Sequence, residues 1–479
     1  MKIYMLNPPY FDGFCRSARW AAKSRGRVQR HPDWMLIAAA YLEKGGHEVR
    51  FTDGAALNMS RDQIRHELEE FRPDMVVCHT TTPSIYNDIS YARLAKDIRG
   101  SQTVLIGAHV SAEPDDTFAH ADGAVDVIVR GEYDLPLRQL ADGVPRDRVA
   151  GISYLQGGRI VHNPAGSPVD INELPTPAWH FIQPEWYPDL GKRMPFLTLI
   201  SARGCYGRCT FCRDMSLISG RVVRCREAGL VVDEIESDYR LFPRIREIMF
   251  ETDTFTASPK HCRDVCEEIL RRRLKVTWSC NARVDMPLDL LPLMKRAGCR
   301  MLMVGFEFGT QQQLDSVHKD VTIEQSRGFA QAAHRLGFVL HGCFMIGAPG
   351  ETHQSAAATI EFAKSLPLDT MQASGICVYP GTEMYRWAKE NGYLVPKDWT
   401  EWVDRNGEQV TLLNYPQLSK QEMDHYINLA LRQFYLRPRQ MLSMLISMRD
   451  LGDLRRKFHG LRSFIDSVFR RQEDISHVR

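Results

Sequence analysis

Two long stretches of this chain alternate short aliphatic or β-branched runs with helical patterns, and that alternation restricts each stretch to a parallel sheet covered by helices. In the first stretch KIYML precedes a helical pattern from Trp34 to Glu43, HEVRF one from Asp62 to Phe71, and DMVVCH one from Tyr86 to Ile98. TVLIG, a short helix around Asp115 and DVIV complete the series. The pattern predicts a doubly wound, Rossmann-like α/β domain over residues 1–162, whose ligands sit at the carboxyl ends of its strands. Asn7, Asp53, His79 to Thr82, Gly107 to His109 and Arg130 to Glu132 fall there.

Prolines in NPAGSPVDINELPTPAWH break the periodicity, so residues 163–192 read as a linker lying over the surface. Over residues 193–394 the strands FLTLIS, EIMFE, KVTWS, MLMVG, VLHGCFMI and MQASGIC are each followed by a helical segment, which predicts a partial (β/α)6 barrel. Barrel chemistry belongs at the carboxyl ends of strands. That is where a cysteine-rich loop, Glu251 to Asp253, Asn281, Arg283, Gly305 to Glu307 and Gly347 to Glu351 lie. Residues 395–479 carry helical patterns and turn basic in RQFYLRPRQ and DLRRKFHGLRSF, with MLSMLISM as an apolar stretch. A helical extension capping the barrel is expected, with peripheral membrane contact through residues 440–479 as its second use.

At 479 residues the chain exceeds a single core, and its net charge of +2 gives no global field that would draw nucleic acid. The opening MKIYMLNPPY lacks the apolar stretch of a signal peptide and no run is long enough to span a bilayer, so a cytoplasmic location is expected. In that compartment twelve cysteines point to metal or redox chemistry more than to disulfides.

Three of the cysteines stand together. SARGCYGRCTFCRD follows a strand and places Cys205, Cys209 and Cys212 in the spacing C-x3-C-x2-C. Iron–sulfur clusters are normally held by four thiolates, so three leave one iron for a substrate or cofactor. A zinc site would want a fourth protein ligand, and none stands nearby. Arg203 and Arg208 flank the loop and either raise its potential or solvate it. Three crowded cysteines make a poor nucleophile site, and NPPYFDGF offers no glycine-rich phosphate loop for a nicotinamide cofactor.

With Phe211 just before its last cysteine, this loop resembles the signature of the radical S-adenosylmethionine (SAM) superfamily. The resemblance implies a [4Fe–4S] cluster on Cys205, Cys209 and Cys212, with SAM chelating the open iron through its amino and carboxylate groups. One electron from the cluster then splits SAM to a 5′-deoxyadenosyl radical, which takes hydrogen from an unactivated carbon. It also implies cofactor contacts for Phe211, for Glu251 and Asp253 in FETDTF, for Glu307 in VGFEFG, and for Arg283 in WSCNARVD. Arg283 would grip the SAM carboxylate by a bidentate hydrogen bond. The glycine pair often seen near Glu251 is missing here. GAPGET and VYPGTEMY read as turns that open helices, the first capped by Thr352 or Glu351.

The order of domains, covering nearly the whole chain, resembles the cobalamin-binding branch of that superfamily. This branch includes the anaerobic magnesium-protoporphyrin ester cyclase, radical C-methyltransferases and the radical SAM proteins of hopanoid biosynthesis, and the stretch from WSCNARVD to YPGTEMYRWAKENGYL looks closest to the last. The resemblance implies cobalamin on residues 1–162, although the D-x-H-x-x-G motif is absent and His79 and His109 stand outside any such motif. It implies C-methylation where cobalamin is bound, or ring formation where it is not. The substrate would be a lipid, isoprenoid, tetrapyrrole or natural product, and the electron donor a flavodoxin or ferredoxin. The competing class is a non-catalytic iron–sulfur protein for electron transfer or assembly, which has no need of a barrel opening onto its cluster. Replacing Cys205, Cys209 and Cys212 by alanine should abolish both iron binding and SAM cleavage, read as iron content and 5′-deoxyadenosine; retained cleavage would overturn the cluster assignment.

Overall fold

The computed structural model describes residues 1–442 apart from Ala18, Arg25 and Arg439, so most of the expected apolar and basic tail lies outside the described residues. Strands β1 (Lys2–Asn7), β2 (Glu48–Asp53), β3 (Met75–His79), β4 (Gln102–Ile106) and β5 (Val127–Val129) form a parallel sheet in the order β2-β1-β3-β4-β5. Helices cover both faces, which is why its central strands read as unbroken apolar runs: Tyr4, Met5, Leu6, Val77 and Cys78 have no exposed surface. The strand order reverses between β1 and β3, which opens a crevice at their carboxyl ends.

Two antiparallel strands, β6 (Ile152–Gln156) and β7 (Arg159–His162), extend this sheet, where a purely parallel one was expected. The turn between them is Gly157-Gly158, with φ of 57° and 78°. Positive φ at both positions is what a two-residue hairpin requires, and glycine supplies it without strain.

The segment 163–192 is no surface linker. Val169, Ile171, Leu174, Trp179, Ile182 and Tyr187 are buried, and Trp179 and Tyr187 join the same core as both sheets. Its prolines leave only two short 3-10 turns, Trp179–Phe181 and Pro184–Trp186, yet its aromatic side chains supply the apolar area that fills the space between the domains. The Ala178 N–H donates to the Leu36 carbonyl at 3.0 Å, and Tyr187 Oη donates to Asp53 Oδ2 at 2.9 Å.

The second sheet is built from β8 (Phe196–Leu199), β11 (Glu247–Phe250), β12 (Trp278–Ala282), β13 (Cys299–Glu307), β14 (Val339–Ile346) and β15 (Thr370–Gly375), parallel and adjacent in that order. Between its first two strands, β9 (Ala202–Arg203) pairs with β10 (Arg224–Cys225). The third barrel strand starts at Trp278 and runs to Ala282, three residues later than KVTWS suggested. Alternation sorts the side chains. Ile248, Phe250, Trp278, Cys280, Leu302 and Val304 pack in the core, while Asn281, Met303, His341 and Cys343 keep part of their surface. The barrel's inner face is therefore not packed shut. Among the described residues no helix is long and apolar enough to cross a membrane.

A buried ion pair joins the two domains. Arg203 Nη1 lies 2.6 Å from Asp134 Oδ2 and 3.0 Å from Glu132 Oε2, and its guanidinium stands 3.8 Å from the Trp34 ring centroid. Neither Arg203 nor Asp134 exposes any side-chain surface. Removing one partner strands a charge in a dry contact, at a cost of about 3–5 kcal/mol. Asp134→Ala should lower the urea midpoint by that equivalent, while the paired change Arg203→Met with Asp134→Leu should recover most of it.

Candidate functional site

The cysteine loop leaves β9 through Gly204, whose φ is 94° and where a Cβ would stand 2.1 Å from the Val222 carbonyl oxygen. Only glycine fits this exit. The Gly204 N–H donates to Asp253 Oδ2 at 2.7 Å, so the carboxylate at the end of β11 pins the start of the loop. Cys205 and Cys209 are buried and Cys212 is partly so. The Gly207 N–H points at Cys205 Sγ across 3.4 Å, and the helix Arg213–Leu217 starts directly after Cys212.

Thr210 holds the far side of the loop. Its N–H donates to the Val317 carbonyl at 3.0 Å, and its carbonyl accepts from the Met384 N–H at 3.1 Å. Met384 belongs to VYPGTEMY, so that motif does more than turn the chain. In the same motif Thr382 caps the helix Glu383–Glu390, and Gly381 packs where a Cβ would come within 2.5 Å of Leu217 Cδ2. GAPGET is architectural: Glu351, fully buried, accepts from the Gly347 and Ala348 N–H groups, and Thr352 caps the next helix. Phe211 packs half-buried against the barrel core.

The charged residues named from sequence surround this loop, mostly with partners of their own. Arg283 uses Nε and Nη2 on Asp285 at 3.0 and 2.8 Å, gives Nη2 also to the Lys319 carbonyl at 3.0 Å, and lies 5.0 Å from the Tyr206 ring centroid. A Cβ on Gly207 would stand 2.8 Å from Arg283 Nη1, so the guanidinium lies tightly beneath the loop. Its fork is engaged by Asp285, which makes it a clamp on the loop. Glu307 sits at a β-bulge with φ of 66° and accepts from Lys319 Nζ at 2.8 Å. Burial opposes the charge on Lys319, but Glu307 and the nearby Cys209 raise its pKa. Asp253 has its pKa raised by burial and by Asp214, against the pull of Arg19. Glu251 differs from the rest: its Oε2 is buried with no hydrogen-bond partner.

Lys319, Arg19 and Thr210 were not singled out from sequence. Lys319 lies in the turn after the helix Gln311–Ser316, and Arg19 in an irregular strap between β1 and the first helix, where no periodicity marks a side chain. From that strap Arg19 donates to the Asp253 carbonyl and lies 3.7 Å from Asp214, so the first domain reaches the cysteine loop.

The donor set suits a cubane. Thiolates about 2.3 Å from one zinc ion would crowd to roughly 3.8 Å from each other, and no group of three or more His, Cys, Asp or Glu side chains among the described residues forms such a single-ion site. A cubane places each thiolate on its own iron, and Cys205, Cys209 and Cys212 offer three thiols from one loop. Burial, then Asp214, pushes the Cys212 thiol up to about 12, and burial raises that of Cys209.

The first domain turns its crevice toward the same seam. Asn7 Nδ2 donates to Asp53 Oδ1 at 2.8 Å, and Arg16 of the strap forms a fully buried ion pair with Asp88 at 2.7 Å. Gly107 approaches so closely that a Cβ would lie 2.5 Å from the Thr80 carbonyl oxygen. His79 Nδ1 and His109 Nε2 are buried without partners. Residues 398–402 cross over from the C-terminal extension: Trp399 Nε1 donates to Asp116 at 2.7 Å and Tyr86 Oη to Asp398 at 3.0 Å. The strand ends where a doubly wound sheet takes its ligand thus carry two ring nitrogens without partners, His79 Nδ1 and His109 Nε2, a donor set that fits a metal-bearing cofactor.

Comparison with known proteins adds independent findings. Residues 25–141 match the B12 binding domain and residues 199–363 the radical SAM superfamily. The chain is 30% identical over 404 residues to the anaerobic magnesium-protoporphyrin IX monomethyl ester cyclase of Rubrivivax gelatinosus, covering 81% of this chain and 70% of that protein. It is 28% identical over 449 residues to an uncharacterized methyltransferase of Pyrococcus horikoshii, covering 92% of this chain and 94% of that one. In fold it resembles the radical SAM methyltransferase TsrM of Kitasatospora setae, solved with cobalamin and a [4Fe–4S] cluster, at a TM-score of 0.71 and 16% identity, over 97% of this chain and 99% of that one.

Gly204→Ala should displace the loop through both its positive φ and the Val222 clash, the backbone alone costing about 1–2 kcal/mol. Iron per chain after anaerobic reconstitution should fall severalfold, while far-ultraviolet circular dichroism stays unchanged.

Proposed function

Because the chain belongs to the radical SAM superfamily, in the branch that carries a B12-binding domain, we propose that it transfers a methyl group to an unactivated carbon of a small, largely apolar substrate. One observation carries this reading: the three-thiol loop at the carboxyl end of the barrel and the crevice of the first domain meet at one seam, fastened by Arg203 and Asp134. A carbon radical made at the loop would thus form beside whatever the crevice holds. When bound, the cluster supplies a low-potential electron, SAM the radical precursor, and cobalamin the methyl carrier.

The chain's own residues bind and orient these groups. Cys205, Cys209 and Cys212 hold the cluster, and Asp253, Arg283 and Thr210 fix the loop that bears them. Glu251, with one oxygen buried and unpartnered, is the acceptor for the amino group of SAM. Lys319 and Glu307 form a buried pair next to Cys209, where they set the charge around the cluster. Phe211 shields the loop on its core side. The half-open inner face at Asn281, Met303, His341 and Cys343 is the substrate's place, and its mix of thioether, thiol, amide and imidazole suits a mostly apolar molecule with a few polar groups. A lipid, isoprenoid, tetrapyrrole or natural product meets that description. The electron comes from a flavodoxin- or ferredoxin-type donor. Membrane contact would fall to residues 440–479, largely outside the described residues.

Ring closure is the second reading, and the identity to the ester cyclase is what favours it. Anaerobic purification with iron and cobalamin supplied, followed by a visible spectrum and a dithionite assay, tests both. A broad cluster absorbance with 5′-deoxyadenosine is expected, and co-eluting cobalamin would place methyl transfer ahead of cyclisation. A well-folded protein that holds no iron and leaves SAM intact would end the proposal. Glu251→Gln should raise the SAM concentration for half-maximal cleavage by roughly tenfold or more, since a hydrogen bond to a charged group contributes about 1.5–3 kcal/mol.

A further inference from the structure

The seam contains a histidine that neither the packing nor the chemistry above uses. His79 is the last residue of β3, at the strand-order switch beside β1. Its carbonyl accepts from Arg16 Nη2 at 2.7 Å, and Arg16 is itself locked by Asp88 and Ser84, so the strand end is held still. The ring has no hydrogen-bond partner among the described residues. Nδ1 is sealed from solvent, whereas the residue as a whole is only half-buried, which leaves Nε2 as the nitrogen open to a ligand. A sealed, unpartnered ring nitrogen is unfavourable. Packing alone would be better served by an apolar ring, so a role beyond packing accounts for the imidazole.

Burial, then Arg16 and Arg213, lowers the His79 pKa to about 3, so the ring is neutral at any physiological pH and keeps the lone pair that binds metals. Arg16, which binds the His79 carbonyl, lies on the same strap as Arg19, which reaches Asp253 and Asp214 beside the cysteine loop. His109, the other strand-end histidine, is closed off. Its Nδ1 pairs with Thr82 Oγ1 at 3.3 Å, Nε2 is sealed, and the ring packs edge-on against Trp399 with centroids 5.0 Å apart.

We propose that His79 is the axial nitrogen donor to the cobalt of bound cobalamin, supplied from the end of β3 in place of the absent D-x-H-x-x-G histidine. The inference rests on the cobalamin reading above. Coordination is a ligand exchange without electron transfer: a cobalt–nitrogen bond forms from the imidazole lone pair as water, or the cofactor's own benzimidazole, leaves.

Electron paramagnetic resonance of the cob(II)alamin form, in protein grown on 15N-histidine, decides the matter. An axial protein histidine gives a doublet on the cobalt hyperfine lines. A triplet, from the unlabelled benzimidazole, or the lack of any nitrogen splitting overturns the inference. His79→Ala in the same labelled background should lose the doublet while keeping its iron content. His79→Gln gives the same reading if the alanine variant does not fold, and a doublet that survives either change assigns the ligand to another histidine and overturns the inference. Protein that retains no cobalamin, seen in its visible spectrum before any resonance measurement, overturns the cobalamin reading and the inference together.

Discussion

The geometry of the whole site depends on one buried cation. Arg203 stands two residues before Cys205, and its guanidinium is enclosed by Asp134, Glu132 and the face of Trp34, all from the first domain. A buried ion pair of this kind adds little net stability compared with well-packed apolar groups. Its value is directional. An apolar contact could slide, but a charged fork with fixed partners admits a single register between the carboxyl edge of one sheet and the loop that leaves the other. Arg224 also binds Glu132, so β10 is drawn into the same contact and the hairpin that starts the loop is fastened at both strands.

Around that fastening, contributions from distant parts of the chain converge. The strap after β1 brings Arg16 to Asp88 and Arg19 to Asp253, and the first turn of the helix Glu383–Glu390 brings Met384 to Thr210. The cysteine loop is thereby held by the first domain, by β11 and by the last barrel unit at once. Such over-determination is what a reactive centre needs, because an error of about an ångström in placing reacting atoms is costly in rate.

Local features of the sequence were legible and long-range ones were not. The five parallel strands of the first domain and the six of the barrel showed in their apolar runs, and the C-x3-C-x2-C spacing singled out the loop. Glu251, Asp253, Arg283 and Glu307 do stand at strand ends, but Asp253 and Glu307 take partners on other elements, Gly204 and Lys319, where no spacing rule reaches, while Arg283 turns to Asp285 two residues on. Proline content misdirected the reading of residues 163–192, because it reports what the backbone cannot do and says nothing of where Trp179 and Tyr187 go. The antiparallel hairpin could have been found from Gly157-Gly158 between two apolar-alternating runs.

The crossing by Trp399 has a consequence in time. The residues that close over the first domain, Asp398 and Trp399, reach back to Tyr86 and Asp116, which the ribosome delivers some three hundred residues earlier. Both halves of the seam therefore leave the ribosome before the segment that ties them together exists. The tie that fastens the first domain to the C-terminal region can form only after both sheets are complete.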